Sequence, residues 1–142
     1  MDDFPFSAQV RVRTYELDSF GHVNNSVYLN YMEEARSEYL KQISVSFHDF
    51  APAGVQLVIA ESYVRYLKPA HYGDAITVWG RFYDVRPASL CIGYRLTLQN
   101  GTVAAEGWTK GVFVQAATGK PTRAPEIFRA AFERAQTQAG QD

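Results

Sequence analysis

The residues best equipped for chemistry crowd one stretch, DSFGHVNNSVYLNYMEEAR, at positions 18–36. It offers a carboxylate, Asp18, then Gly21, His22 and the consecutive Asn24 and Asn25, with Arg36 further along. From Asn25 to about Ile43 the spacing turns helical, so this polar group stands at the mouth of a helix. An open helix start presents unpaired backbone N–H donors and the positive end of the helix dipole. Such donors polarise a carbonyl and hold the negative charge that develops on its oxygen. A carboxylate across from that carbonyl attacks it directly or activates a water. The chemistry implied is hydrolytic acyl transfer, with Asp18 as the carboxylate and the Asn25 amide as oxyanion donor.

The same residues have plainer uses. Asn24, Asn25 and Ser26 are favoured helix caps, because their side-chain oxygens accept from N–H groups the helix cannot satisfy. Gly21 suits a backbone conformation closed to other residues, and Asp18 gains from the dipole alone. Arg36 is harder to explain. At about 100° per residue it falls between Leu29 and Ile43, inside the apolar arc and on nearly the same side as Asn25. A guanidinium there needs a carboxylate, backbone carbonyls or a wet cleft, since unpaired burial costs several kcal/mol.

These residues must be positioned by the elements around them. AQVRVRTYE alternates apolar and polar residues and predicts a first strand over 8–16. On the helix, Asn30, Glu33, Glu34, Ser37, Glu38 and Lys41 form one polar stripe. Tyr28, Leu29, Tyr31, Met32, Ala35, Tyr39, Leu40 and Ile43 fill the wide apolar arc, so the helix must be largely wrapped. Four strand-like segments follow at roughly 55–68, 74–86, 89–99 and 102–117, punctuated by Pro69, Gly73-Asp74, Arg86-Pro87 and Asn100-Gly101. Asn-Gly between apolar runs is a hairpin signal, with both turn positions expected at positive φ. EIFRAAFERAQTQ, at 126–138, predicts a short C-terminal helix with frayed polar residues after it. The fold class is α+β: a curved five-stranded antiparallel sheet around a long central helix, in a single domain over 1–142. Its remaining face and edges, rich in aromatics such as Trp79 and Trp108, are expected to be buried against a second copy.

Composition excludes several classes. With 46% hydrophobic and 20% charged residues, the 142-residue chain is long enough to bury a core. A formal charge of −1 leaves no electrostatic footprint for nucleic acid or an anionic membrane. No apolar run nears the roughly 20 residues that span a bilayer, and MDDFPF lacks the layout of a signal peptide, so the expected address is cytoplasmic. Cys91, the one cysteine, reads as a buried strand thiol. His22, His48 and His71 are not at metal-ligand spacing, and no glycine pattern for a dinucleotide or phosphate loop exists, so neither metal nor cofactor is expected. Lys68, Arg86, Lys120 and Arg123 read as solvated surface charges.

The stretch DSFGHVNNSVYLNYMEEAR, with Asp18 seven residues before Asn25, resembles hotdog-fold acyl-CoA thioesterases of the 4-hydroxybenzoyl-CoA thioesterase family. YLKPAHYGDAITV at 66–78 is similar to that family's strand, proline and Gly-Asp turn. The resemblance implies a hotdog fold, a homodimer with joined sheets that pairs further into a homotetramer, and active sites at the dimer interface. It implies an acyl-CoA or acyl-carrier-protein substrate, Asp18 as general base or nucleophile, and the Asn25 amide on the thioester oxygen. HVNN also resembles plant acyl-carrier-protein thioesterases, where the histidine matching His22 is treated as catalytic, although those enzymes carry asparagine where this chain has Phe20. Asn24, Tyr28, Met32 and Arg36 are expected to touch substrate, with Tyr63 helping to shape the acyl pocket. Among other carboxylates, Glu33, Glu34 and Glu38 lie on the solvent stripe, and Glu61 is expected to pair with Arg65.

Overall fold

β-Branched and aromatic residues recur along the strands of this protein, and one long helix covers the sheet they form. The computed structural model describes residues 3–141. In chain order the elements are β1 (Phe6–Arg11), α1 (Asn25–Gln42), β2 (Val55–Tyr66), β3 (Ala75–Arg86), β4 (Ser89–Thr97), β5 (Val103–Gln115) and α2 (Glu126–Gln141). Two 3-10 segments, Thr14–Glu16 and Phe47–Ala53, flank α1. The sheet is antiparallel in the order β1-β3-β4-β5-β2, so α1 carries the chain from one edge of the sheet to the other. Both edge strands therefore precede in sequence the three central strands that fill the space between them.

The core lies between α1 and the concave sheet face. Tyr28, Tyr31, Met32, Ala35, Arg36, Tyr39 and Leu40 are the buried positions of α1, a pattern of three-and-four spacing. Leu29, expected in the apolar arc, is instead 38% exposed, because the sheet covers a narrower stripe than the helical wheel allows. Opposite α1 stand Ile76, Val78, Ile92, Tyr94 and Leu96, all buried. At Gly80 the Tyr39 ring lies so close that an added Cβ would sit 2.1 Å from Tyr39 Cε2. Only glycine lets the helix approach the sheet there. The Tyr39 hydroxyl then donates to the Val78 carbonyl. Helix α2 seals one end of the core through Phe128, which meets Phe50 and Phe113, while Phe132 meets Phe82.

Several sequence-based limits move. The first strand spans Phe6–Arg11 rather than 8–16, because Glu16 turns back to accept from the Arg13 N–H at 2.8 Å and folds Thr14–Glu16 into a 3-10 turn. At Asn100-Gly101 only Gly101 has positive φ, 88°, and a bulge between Leu96 and Thr97 absorbs the difference. Helix α2 continues to Gln141 instead of ending near 138. Cys91 is half-buried rather than enclosed. Among the described residues no helix is long and apolar enough to cross a membrane.

Candidate active site

The loop before α1 is organised around Asp18. Its Oδ1 accepts from the backbone N–H of Phe20 at 2.9 Å and of His22 at 3.1 Å, while its own N–H donates to the His22 carbonyl at 2.7 Å. The Gly21 N–H closes the turn on the Asp18 carbonyl, and Gly21 holds φ at 79°, where a side chain would strain the backbone. No hydrogen bond from the described residues reaches Asp18 Oδ2. The two backbone donors hold the carboxyl below its ordinary value of 3.8, with His22 adding a smaller electrostatic contribution. Asp18 is thus a carboxylate at neutral pH, with one oxygen anchored and the other available.

Loop and helix are tied to the rest of the fold by backbone bonds. Val23 N–H donates to Ala70 O and Asn24 N–H to Glu16 O, each at 2.9 Å. Buried Glu16 also accepts from the Tyr31 hydroxyl at 2.8 Å, pinning the loop to the underside of α1. Sequence reasoning misses Glu16 as a loop organiser, because the alternation of AQVRVRTYE assigns it to a strand.

Asp18, His22, Val23, Asn25, Tyr28, Tyr66, Leu67, Lys68 and Pro69 line one cleft of about 220 Å³. The predicted Asp18, His22, Asn25 and Tyr28 are therefore brought together. Asn25 opens α1, so its amide has no acceptor within the helix, and its carbonyl accepts from the Tyr66 hydroxyl at 3.0 Å. His22 contributes through its backbone, and its ring meets His71 edge-on at 5.1 Å. Lys68, read from sequence as a solvated charge, lies on the cleft wall. Nothing in its local sequence marks it, since its place depends on how β2 ends beside the helix start.

Other expected contacts lie elsewhere. Asn24 is the N-cap of α1, its Oδ1 accepting from the Ser26 N–H and hydroxyl at 3.1 and 3.0 Å, and it does not line the cleft. Met32 is fully buried, packs in the core and does not line the cleft. Tyr63 stacks on Trp108 on the opposite face of the sheet, because a bulge between Ile59 and Glu61 reverses the alternation of β2. Arg65 pairs with Glu106 rather than with Glu61.

Arg36 lines a second, larger cavity of about 460 Å³, with Glu33, Phe47, Phe50 and the Val55–Ile59 half of β2. It is 9% exposed, and its Nη1 donates to the Tyr94 hydroxyl at 3.2 Å, which in turn shares a 2.9 Å bond with Thr109 Oγ1. Burial pushes the Tyr94 phenol up despite the guanidinium beside it, so Arg36 faces a neutral partner. Among the described residues no group of three or more His, Cys, Asp or Glu is placed to hold a metal ion.

Comparison with known proteins agrees with this architecture. The chain is 32% identical to the chloroplastic acyl-acyl carrier protein thioesterase ATL3 of Arabidopsis thaliana, over 87% of this chain and 65% of that protein. It is 31% identical to the long-chain acyl-CoA thioesterase FadM of Escherichia coli K12, over 79% of this chain and 85% of FadM. A solved thioesterase from Thermus thermophilus, complexed with coenzyme A and Zn, superposes with a TM-score of 0.77 at 37% identity, covering 92% of this chain and 93% of that one. The family model of the thioesterase-like superfamily matches residues 12–132, and the chain belongs to that hotdog-fold superfamily.

Proposed function

We propose that this protein hydrolyses an acyl-CoA thioester to the free acid and CoA. The observation that carries the reading is the asymmetric Asp18 carboxylate, one oxygen held by the loop and the other open, in one cleft with the first residue of α1. A thioester carbonyl seated between them has its oxygen toward the Asn25 amide and its carbon toward Asp18. Attack by Asp18 Oδ2, or by water that it deprotonates, builds negative charge on that oxygen, and the helix dipole stabilises it. Collapse of the adduct breaks the carbon–sulfur bond and releases the thiolate. Where water attacked, the thiolate takes back the proton held by Asp18; where Asp18 attacked, water then hydrolyses the acyl–Asp18 anhydride to the free acid and restores the carboxylate. His22 fixes the loop through its backbone and stands on the cleft wall beside the reacting groups. Tyr28 and Tyr66 supply an aromatic wall, their rings 5.3 Å apart. Lys68 is the cation on that wall able to meet a phosphate of the carrier.

The functional unit in this proposal is a homodimer joined through β2. That strand is a 12-residue edge with Val58, Tyr63 and Tyr66 exposed, the kind of long edge that pairs with another chain. Antiparallel pairing of two such edges joins the sheets, and the aromatic outer face offers a further surface for pairing dimers into a homotetramer. The site is assigned to a cytoplasmic enzyme that needs no cofactor. The relationship to ATL3 makes an acyl-carrier-protein thioester the second substrate form to test. Thiol release from short, long, branched and aromatic acyl-CoAs and from matching acyl-carrier-protein thioesters tests the reading. Turnover that disappears in Asp18→Asn supports it, while binding of the thioesters without any thiol release would replace the hydrolase with a carrier protein.

A further inference from the structure

A buried cation without a carboxylate partner has to be explained. Arg36 is nine-tenths buried on the core side of α1, yet among the described residues its one acceptor is the Tyr94 phenol. Among the described residues no buried side-chain nitrogen or oxygen lacks a partner, so the remaining guanidinium donors open into the 460 Å³ cavity. Apart from Arg36, that cavity is walled mainly by Phe47, Phe50, Val55, Leu57 and Ile59, apolar groups that hold a chain but leave a cation unanswered. Glu33 lines it too, but it is exposed and forms no ion pair with Arg36. A charge kept in such a place, at the cost of its hydration, is best compensated by a ligand oxygen.

The position of the cavity connects it to the site already described. The Val55–Ile59 half of β2 lines the Arg36 cavity, whereas Tyr66 and the residues after it line the Asp18 cleft. When two β2 edges pair antiparallel about a two-fold axis, the first half of one strand lies beside the second half of the other. The Arg36 cavity of one subunit is then the neighbour of the Asp18 cleft of the partner subunit. Within a single chain the two are separated along α1 by the buried Met32, and Asn25 lies about 16 Å from Arg36 along the axis at ~1.5 Å per residue.

We infer that the Arg36 cavity receives the far end of the acyl group whose thioester is cleaved at the partner's Asp18, and that it selects acyl groups ending in an oxygen acceptor, a carboxylate above all. This rests on the hydrolase and dimer readings given above. It makes Arg36 a specificity determinant: apolar walls grip the chain and the guanidinium pairs with its terminus.

The test compares length-matched pairs of CoA thioesters with and without a terminal carboxylate, such as adipoyl against hexanoyl and sebacoyl against decanoyl. For at least one pair the wild-type protein is expected to favour the carboxylated member by about tenfold or more in kcat/KM. In Arg36→Met the ratio is expected to collapse toward one. Because the ratio is taken within one preparation, a loss of folded protein cancels from it. Glu33→Gln changes an exposed side chain and removes the competing negative charge, so it is expected to raise the ratio several-fold. Equal rates for both members of every wild-type pair, or an unchanged ratio in Arg36→Met, would overturn this inference and leave the hydrolase standing. No thiol release from any thioester would overturn the hydrolase itself, and the inference with it.

Discussion

Two aspartate-centred turns sit side by side in this fold, and they are wired differently. Asp74 spends both oxygens: Oδ2 accepts from the His71 N–H at 2.8 Å and Oδ1 from Gln99 Nε2 at 3.0 Å. Asp18 spends one oxygen on two backbone N–H groups and keeps the other open. A bridge between His22 and His71 joins the two turns. Both carboxyls are held below the ordinary value, Asp74 chiefly by Gln99 and then by the His71 amide, Asp18 by the amides of Phe20 and His22. Acidity therefore does not tell them apart; the unoccupied oxygen does. A saturated carboxylate is a fastener, while one anchored at a single oxygen can hold its loop and still react.

Exchanging the two roles should fail, and the sharpest attempt is Asp18→Asn. Its amide oxygen still accepts from Phe20 and His22, so thermal unfolding should stay close to wild type, but turnover should fall by about 10²–10⁴-fold for loss of the base. Asp74→Asn, measured in the same thiol-release assay, should retain most activity. Equal losses in the two variants would erase the distinction. Removing the acceptors altogether in Asp74→Ala leaves the His71 amide and the Gln99 amide without partners, and urea unfolding should show about 1 kcal/mol of lost stability. Tyr66→Phe removes the exposed bond to the Asn25 carbonyl beside Asp18. A loss of about 0.5–1 kcal/mol is expected, read as a small drop in melting temperature. The smallest effect is on pH dependence. With folded values depressed, each carboxylate adds stability that is present above the unfolded value, near 3.8, and is lost only as pH falls through the lower folded value. The acid limb of kcat/KM due to Asp18 should accordingly lie below 3.8, and a limb well above it would mean that another group is the base.

Much of this is legible without coordinates. The central helix starts at Asn25 as its spacing indicates, and the four later strands fall within a few residues of their predicted limits, because turn residues and periodic burial are local signals. Arg36 is conspicuous for the same reason: a charge out of phase with its stripe. Non-local facts are not legible. That Lys68 reaches the Asp18 cleft, and that Tyr94 answers Arg36 from a strand 58 residues away, depend on sheet order. Counting in twos from Val55 misplaces Tyr63, since the count breaks at the bulge between Ile59 and Glu61. Met32 shares the spacing of Tyr28 and Arg36 and so reads as a ligand contact, but spacing alone does not separate a pocket wall from a filled interior.

The extra residue at that bulge, Ala60, acts as a phase switch for the whole edge of the sheet. Before it, Val55, Leu57 and Ile59 face the helix; after it, Val64 and Tyr66 do. Pairing the same twelve residues without the bulge would turn the second half of the strand inside out, swinging Tyr66 away from Asn25 and presenting Tyr63 and Arg65 in its place. The Asp18 cleft thus owes one of its walls to an irregularity of pairing, and not to any functional group on the residue that makes it.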